Sequence, residues 1–321
     1  MTLQRMALFC ALVVGLAPLT QAQPLSRSDT PQATERLRTR LAERVQERRA
    51  PLPPDVQKIT DLPYGPDARQ RMDIYRPSTS TPDPSGARAP VVFMVHGSGW
   101  RNGDKAMPSV VHNKVARWVP RGVIVVSVNY RLLPDTPVSQ QAQDVAQALA
   151  TAQQQAAQWG GDAGRFILMG HSAGAHLVSL INAQPALAQR LGAWPWLGTV
   201  ALDSAMLNVP QFMRAPHLPL YDDAFGTNPV YWHALSPFHQ WVSGAPPAQF
   251  VCSTERPDQP CLQAQAMARH VHTLGGRAEV LPQPLTHGEI NAELGLDSDY
   301  TRAVEGFMAS LDAVVAQKLG R

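Results

Sequence analysis

The first residues whose types and spacing suit chemistry are the serine and two glycines of the run GHSAG at 170–174. Four apolar residues precede this run and an alanine-rich helical pattern follows it, which predicts a strand, a sharp turn and a helix. A serine on such a turn is exposed at the strand end, and glycines flank it because a Cβ there would meet neighbouring backbone. The pattern favours Ser172 as a nucleophile over an incidental serine in a tight turn.

A second glycine-rich run, HGSGW at 96–100, follows the first long apolar run of the chain. Backbone N–H groups in a turn at a strand end can bind the oxyanion that forms when a serine attacks a carbonyl. We assign this role to the amides of Gly97 and Ser98, with the amide of Ala173 as a further donor, and we expect Trp100 to contact substrate. An ordinary turn between strand and helix is the alternative.

A serine hydroxyl needs a general base from another loop of the same crevice. His287 qualifies because it directly follows the last predicted strand. Five other histidines lie on a helical pattern or within a predicted insertion, where surface or packing roles are favoured. These five are His217, His233, His239, His270 and His272.

The carboxylate that orients His287 is expected after the strand at 250–252, in keeping with a chain order of serine, acid and histidine. The loop that follows this strand offers Glu255 and Asp258. We prefer Asp258, because Glu255 is so close to the strand end that its side chain would have to turn back. Asp203, at the end of the preceding strand, is the outside candidate.

Six continuous apolar runs predict strands that are buried on both faces. Helical patterns alternate with them from about residue 90 onward, and short alternating strands at 56–60 and 71–75 predict a hairpin before them. This order predicts an α/β fold with a mostly parallel central sheet, helices on both faces and a crevice at the strands' carboxyl ends. The six runs are 91–95, 123–128, 166–169, 200–202, 250–252 and 278–281.

Four segments are predicted along the chain. The first, 1–22, has one arginine, a short apolar run and small residues before Ala22, which predicts a signal peptide and export to a periplasm or the medium. A membrane anchor is the alternative, but the run is shorter than the roughly 20 apolar residues that span a bilayer. An amphipathic helix and a proline-rich linker follow at 23–55, and the domain at 56–321 contains a small, aromatic-rich inserted cap at about 207–242.

Removal of the first segment leaves two cysteines, Cys252 and Cys261. In an oxidising compartment two thiols this close in sequence are expected to pair rather than to stay free. The predicted disulfide would close the loop that carries Asp258.

The composition argues against a polyelectrolyte partner. The 321 residues carry a formal net charge of +3, and 17% of them are charged. We therefore expect no nucleic-acid partner and no stable membrane anchor.

Together, HGSGW, the NYRL run at 129–132, GHSAG and the late His287 resemble the α/β-hydrolase fold, and within it the carboxylesterase branch related to hormone-sensitive lipase. The resemblance extends over about residues 56–319 and implies a serine hydrolase that cleaves small-molecule, short-acyl esters without a metal or organic cofactor. It also implies that Arg131 and Asp144 form a structural pair. Ser98 stands where the family usually has glycine, and the loop after the strand at 250–252 lacks the family's short Gly-x-x-Asp run.

Two other functions fit these residues. The chain is similar both to bacterial acetyl and feruloyl esterases and to arylformamidases, so cleavage of an N-formyl amide is one alternative. A hydrolase-fold module that has lost catalysis and serves in binding is the other. The sequence leaves the natural substrate and the oligomeric state open.

Overall fold

The computed structural model describes residues 52–78, 88–204 and 206–321. The predicted signal peptide, the amphipathic helix and nearly all of the linker at 23–55 lie outside these residues. The hairpin predicted at the start of the domain is present, and the strands that follow it build one sheet.

Eight strands form this sheet in the order β1-β2-β4-β3-β5-β6-β7-β8. The first two strands pair antiparallel, β2 joins β4 antiparallel, and every other pairing is parallel. The strands are β1 (Val56–Pro63), β2 (Arg71–Pro77), β3 (Ala89–Val95), β4 (Ile124–Val128), β5 (Gly161–His171), β6 (Gly198–Leu202), β7 (Ala248–Ser253) and β8 (Ala278–Gln283). The mostly parallel sheet predicted from the six apolar runs is confirmed.

Helices cover both faces of the sheet. Those of the described residues are α1 (Pro108–Trp118), α2 (Val138–Gln155), α3 (Ala173–Ala183), α4 (Ala186–Gln189), α5 (Val209–Met213), α6 (Pro219–Phe225), α7 (Pro229–Ala234), α8 (Pro237–Gln240), α9 (Pro260–Thr273), α10 (His287–Ala292), α11 (Asp299–Ala309) and α12 (Ala313–Leu319). None of them is long and apolar enough to cross a membrane. The last two helices, α11 and α12, are separate, and the side chain of Asp312 caps α12 by accepting from the backbone N–H groups of Val314 and Val315.

The central strands are predominantly apolar because both of their faces are buried. In β3, Val91 and Phe93 belong to the core beneath α2 and α3, whereas Val92 and Met94 belong to the core beneath α1, α11 and α12. Successive side chains of a strand point to opposite faces, so the apolar side chains of one strand contribute to both cores. The sheet is therefore a rigid support for the loops at its carboxyl edge.

Four short helices, α5 to α8, occupy the stretch between β6 and β7 where the cap is predicted. Tyr221 and Phe225 of α6 make edge contacts with the ring of Trp100, which lies in the HGSGW turn. These four helices, called the cap below, are packed through α6 on the turn that follows β3.

Candidate active site

Ser172 lies between β5 and α3 in a strained backbone conformation, with φ 55° and ψ −117°. A Cβ on Gly170 would be 2.3 Å from the carbonyl oxygen of Gly174, and a Cβ on Gly174 would be 2.3 Å from that of Val95. Only glycine fits either position, so the strand, turn and helix predicted around GHSAG are present for the predicted steric reason.

The HGSGW turn approaches this serine closely. A Cβ on Gly97 would lie 2.8 Å from both the carbonyl oxygen of His171 and the Cβ of Ser172. Among the hydrogen bonds of the described residues, none has the backbone N–H of Gly97, Ser98 or Ala173 as its donor. Three unused N–H groups beside the serine hydroxyl are the arrangement that an oxyanion hole requires.

Trp100 corrects one expectation. Only 2% of this residue is exposed, because His176, Tyr221 and Phe225 surround its ring. A side chain that is buried beneath the cap has no face left for a substrate. The structure therefore makes Trp100 an anchor between turn and cap rather than a substrate-binding residue.

His287 begins helix α10, directly after the loop that follows β8. Thr286 caps this helix in a reciprocal capping box with Glu289, which fixes the backbone at the histidine. The rings of His171 and His287 lie 4.5 Å apart between centroids, and His171 Nε2 donates to the His287 carbonyl oxygen at 2.8 Å. Since His171 immediately precedes Ser172, the imidazole of His287 is held next to the serine turn.

Asp203 is the carboxylate that contacts His287. Its Oδ2 accepts a hydrogen bond from His287 Nδ1 at 2.6 Å, while its Oδ1 accepts one from the backbone N–H of Ser253 at 2.8 Å. Burial alone would raise the pKa of this fully buried carboxyl, but hydrogen bonds from His287 and Arg256 lower it to about 2. Asp203 is thus ionised and orients the imidazole through Nδ1.

Asp258, the preferred acid, does not reach His287. Its carboxylate is bound by the guanidinium of Arg256, which lies between Asp258 and the imidazole. The correction follows from sheet geometry: β6 and β7 are parallel neighbours that end at the same edge, so either strand can supply a carboxylate there. The order serine, acid, histidine is the same with Asp203 as with Asp258.

The predicted disulfide between Cys252 and Cys261 is present. It joins the end of β7 to the first turn of α9 and closes the loop that contains Arg256 and Asp258. This loop, residues 253–260, is called the acid loop below. Arg256 of this loop binds Asp203, whereas neither of the loop's two carboxylates, Glu255 and Asp258, is hydrogen-bonded to His287.

Backbone strain is concentrated at this edge of the sheet. Six described non-glycine residues have a positive φ, and four of them surround the candidate site. Such conformations cost free energy and persist where neighbouring structure enforces them, which is typical of functional sites. The four are Ser98, Trp100, Ser172 and Asp203.

Ser172 Oγ makes no hydrogen bond to His287 in the structure. Hydrogen bonds between a nucleophile and its base are often long or absent until substrate is bound. Within the described residues, no group of three or more histidine, cysteine, aspartate and glutamate side chains is arranged to hold a metal ion. The arrangement consists of a nucleophile, a base oriented by an acid, and N–H donors.

Sequence reasoning missed two residues of this site, His171 and Arg256. His171 lies inside GHSAG, but its burial next to His287 depends on how the segment after β8 reaches across the sheet edge to the end of β5. Arg256 lies in the acid loop, and no local pattern distinguishes it from a surface arginine. Of the other histidines, His217 binds Asp222 on the cap and His272 binds the carbonyl oxygen of Ala278, both away from the site.

The pair implied by the resemblance is also present. Arg131 donates to both carboxylate oxygens of Asp144, with an Nη2–Oδ1 distance of 2.7 Å. Their side chains join the end of β4 to α2 behind the serine turn.

Comparison with known proteins gives consistent matches. The BD-FAE family model matches residues 72–193. Esterase LipQ of Mycobacterium tuberculosis is 31% identical over 233 residues, which are 68% of this chain and 53% of LipQ. Carboxylesterase NlhH of the same organism is 32% identical over 236 residues, which are 64% of this chain and 68% of NlhH. The chain thus spans about half to two thirds of the length of these relatives.

Solved structures share the fold. A crystal structure of Esterase B from Lactobacillus rhamnosis superposes with a TM-score of 0.67 at 21% identity, covering 89% of this chain and 95% of that one. At this identity the likeness extends to the fold, an α/β-hydrolase sheet with its covering helices.

Proposed function

Because the chain belongs to the carboxylesterase branch of the α/β-hydrolase family, we propose that it is a serine hydrolase of carboxylic esters. One observation carries the proposal: Asp203 holds His287 by a 2.6 Å hydrogen bond beside a strained serine turn that three unused N–H groups adjoin. Each part has a role in acyl transfer, and the names of the esterase relatives support the same bond type.

The first half of the reaction forms an acyl-enzyme. His287 Nε2 takes the proton of Ser172 Oγ as the oxygen attacks the ester carbonyl carbon. The resulting oxyanion accepts hydrogen bonds from the N–H groups of Gly97, Ser98 and Ala173, while Asp203 stabilises the imidazolium. Collapse of this intermediate breaks the bond to the alcohol oxygen, which leaves with the proton from His287.

The second half releases the acid. Water gives a proton to His287 and attacks the acyl carbon, and the oxyanion again lies on the three N–H groups. When the bond to Ser172 Oγ breaks, the proton returns to that oxygen and the carboxylic acid departs. The fixed Nδ1–Asp203 hydrogen bond leaves Nε2 as the nitrogen that exchanges protons in both halves.

We propose a preference for short acyl groups on the basis of the cap. Helix α6 lies over the oxyanion turn, where Leu220 Cδ1 is 3.8 Å from the position of a Cβ on Gly99. An ion pair of 2.8 Å between Arg101 and Asp223 ties the same helix to the chain after the turn. A cap held this close leaves limited room for a long acyl chain.

The test combines chemistry and specificity. A fluorophosphonate should label the wild-type protein but not Ser172→Ala, and the variant should keep less than about a hundredth of the wild-type kcat on an aryl acetate. Unchanged circular dichroism would show that the variant is folded. Higher residual turnover would contradict the role of Ser172.

A substrate panel then addresses the bond and the acyl length. Acetate and butyrate esters should be turned over faster than a long-chain triglyceride. Faster cleavage of an N-formyl aniline than of an aryl acetate would favour the formamidase alternative, and failure of the fluorophosphonate to label the protein would favour a binding module.

Export is a further proposal, supported by the disulfide, since disulfides persist in oxidising compartments. N-terminal sequencing of the protein recovered from the periplasm or medium should begin at Gln23. Recovery with Met1 in the cytoplasm would contradict it.

A further inference from the structure

Arg256 makes direct contact with both the acid and the base of the site. Its Nη1 lies 2.9 Å from Asp203 Oδ2, 3.2 Å from the Asp203 carbonyl oxygen and 3.0 Å from His287 Nδ1. The other side of the guanidinium, Nε and Nη2, binds the two carboxylate oxygens of Asp258. The cation is therefore fixed between one carboxylate that orients the base and one that does not touch it.

The donors and acceptors here can be assigned individually. Asp203 Oδ2 accepts from both His287 Nδ1 and Arg256 Nη1, and Oδ1 accepts from the backbone of Ser253. When Nδ1 carries its proton it cannot accept from Arg256, so the 3.0 Å approach places a positive charge beside the imidazole without a hydrogen bond between them. That charge opposes formation of the imidazolium.

Burial makes this charge effective. The side chain of Arg256 is 16% exposed, and Asp203 is fully buried. Two carboxylates raise the pKa of Arg256 further above its already high value, against the opposing effect of burial, so the guanidinium stays charged at every working pH. Charges screened poorly by water act strongly over 3 Å.

We propose that Arg256 is a positioning residue, which holds the Asp203 carboxylate and places a positive charge beside His287 Nδ1 that opposes formation of the imidazolium. This inference rests on the proposed ester hydrolysis at Ser172. Asp258 orients Arg256 and partly offsets its charge. Arg256 and Asp258 therefore have opposite effects on the base: Arg256 opposes formation of the imidazolium, and Asp258 favours it.

Three other ionisable groups near His287 stay uncharged in the pH range of the experiments below. Burial lowers the pKa of His171 to about 3 and raises the pKa values of Tyr221 and Tyr300. All three are neutral between about pH 5 and 8.

Three further ionisable groups, Lys114, Glu289 and Glu293, are controlled for by the comparison between variants. Burial lowers the pKa of Lys114 on α1 to about 7, while Glu289 lies on α10 and Glu293 directly follows it. These groups are the same in every variant below, so a difference between variants reports on the acid loop.

The main experiment measures kcat/KM against pH with a short-acyl ester. Arg256→Met should move the midpoint of the acidic limb up by about one pH unit. Its plateau should fall about tenfold, because the carboxylate loses a fixed partner. Arg256→Lys keeps the positive charge but lacks the planar guanidinium that binds Asp203 and Asp258 with separate nitrogens. It should therefore restore the midpoint of the acidic limb more fully than the plateau value of kcat/KM. An acidic limb that does not move in Arg256→Met overturns the proposal.

A second variant distinguishes an electrostatic effect on the base from structural disruption of the site. Asp258→Asn removes a negative charge and should move the limb down, opposite to Arg256→Met and by a smaller amount, because Asp258 lies beyond the guanidinium and is 32% exposed. A general loosening of the site would shift the midpoint of the acidic limb in the same direction in Arg256→Met and in Asp258→Asn. That outcome also overturns the proposal. Arg165→Met is the matched control, since Arg165 also binds two aspartates but lies in the first half of β5, and it should leave the limb in place.

A measurement without turnover keeps this inference separate from the proposed function. The NMR signal of the His287 ring, assigned by its loss in His287→Gln, can be titrated in the wild type and in Arg256→Met. A midpoint higher by about one pH unit in the variant supports the role of Arg256 even if no ester is hydrolysed. An equal midpoint refutes it even if Ser172 proves to be the nucleophile.

Discussion

Asp203 shows how a single residue can take a role from a better-placed sequence candidate. It follows β6 directly, with a backbone φ of 57°, and this strained conformation accompanies a fully buried carboxylate that contacts His287. An asparagine in its place would keep the shape of the side chain but direct an NH₂ group at the donors that now surround it.

We expect Asp203→Asn to lower kcat by about 10⁴, because the imidazole loses the partner that holds its Nδ1 proton. Asp258→Asn should lower the plateau kcat less than about tenfold, since this carboxylate touches only Arg256. Steady-state kinetics of the two variants, with urea unfolding to verify folding, measures the ranking. A larger loss in Asp258→Asn than in Asp203→Asn would return the acid to Asp258.

At the scale of elements, the acid loop links the disulfide to the site. Ser253, at the end of β7, binds both Asp203 and the carbonyl oxygen of Leu285. The disulfide begins one residue earlier, at Cys252, so it restrains the same stretch of backbone.

Removal of the disulfide should therefore affect both stability and activity. The double variant Cys252→Ala, Cys261→Ser should lose about 2.5 to 3 kcal/mol of unfolding free energy, as expected for a ring of about ten residues. Urea unfolding gives this value, and kcat/KM should fall because Arg256 loses its fixed position. Full activity with unchanged stability would contradict this account. A titration that finds two free thiols in the denatured, unreduced wild type would contradict it as well.

At the scale of the whole molecule, three buried histidines connect folding to pH. Burial lowers the pKa of His96 and of His176 to about 4, and that of His171 to about 3. Each lies at a junction: His96 stacks on Tyr130 beneath the oxyanion turn, and His176 donates to the cap carbonyl of Leu235.

The sign of the pH effect follows from these shifts. Below about pH 6.5 the unfolded chain binds protons at these three sites while the folded protein does not, so stability falls as the pH falls from 6.5 towards 4. Each histidine contributes on the order of 1 to 3 kcal/mol to this loss. Asp203 adds a further loss only below about pH 4, as the pH approaches the value of about 2 at which the folded carboxyl protonates.

Urea unfolding at several pH values between 7 and 4 tests this prediction. In His176→Gln, which can still donate to Leu235, the slope of unfolding free energy against pH should be smaller by about 1 kcal/mol per pH unit. A slope equal to that of the wild type would exclude His176 as a contributor.

Much of the architecture could be derived from local sequence. Strands buried on both faces are predominantly apolar, and a serine turn this tight must be flanked by glycine, so β3 to β7 and the position of Ser172 follow from composition and period. His287 follows as well, because its place after the last strand puts it at the edge where Ser172 lies.

The tertiary structure determines which carboxylate orients His287 and which cation binds that carboxylate. Asp203 and Asp258 both follow strands that end at one edge, and chain order is the same for either, so no local signal separates them. The choice depends on which carboxylate reaches Nδ1 after the acid loop folds, and Arg256 settles it by occupying Asp258. The prediction that Trp100 contacts substrate is wrong for a related reason, because a residue in the turn can line a pocket or lie beneath a cap. Only the packing of α6 distinguishes the two.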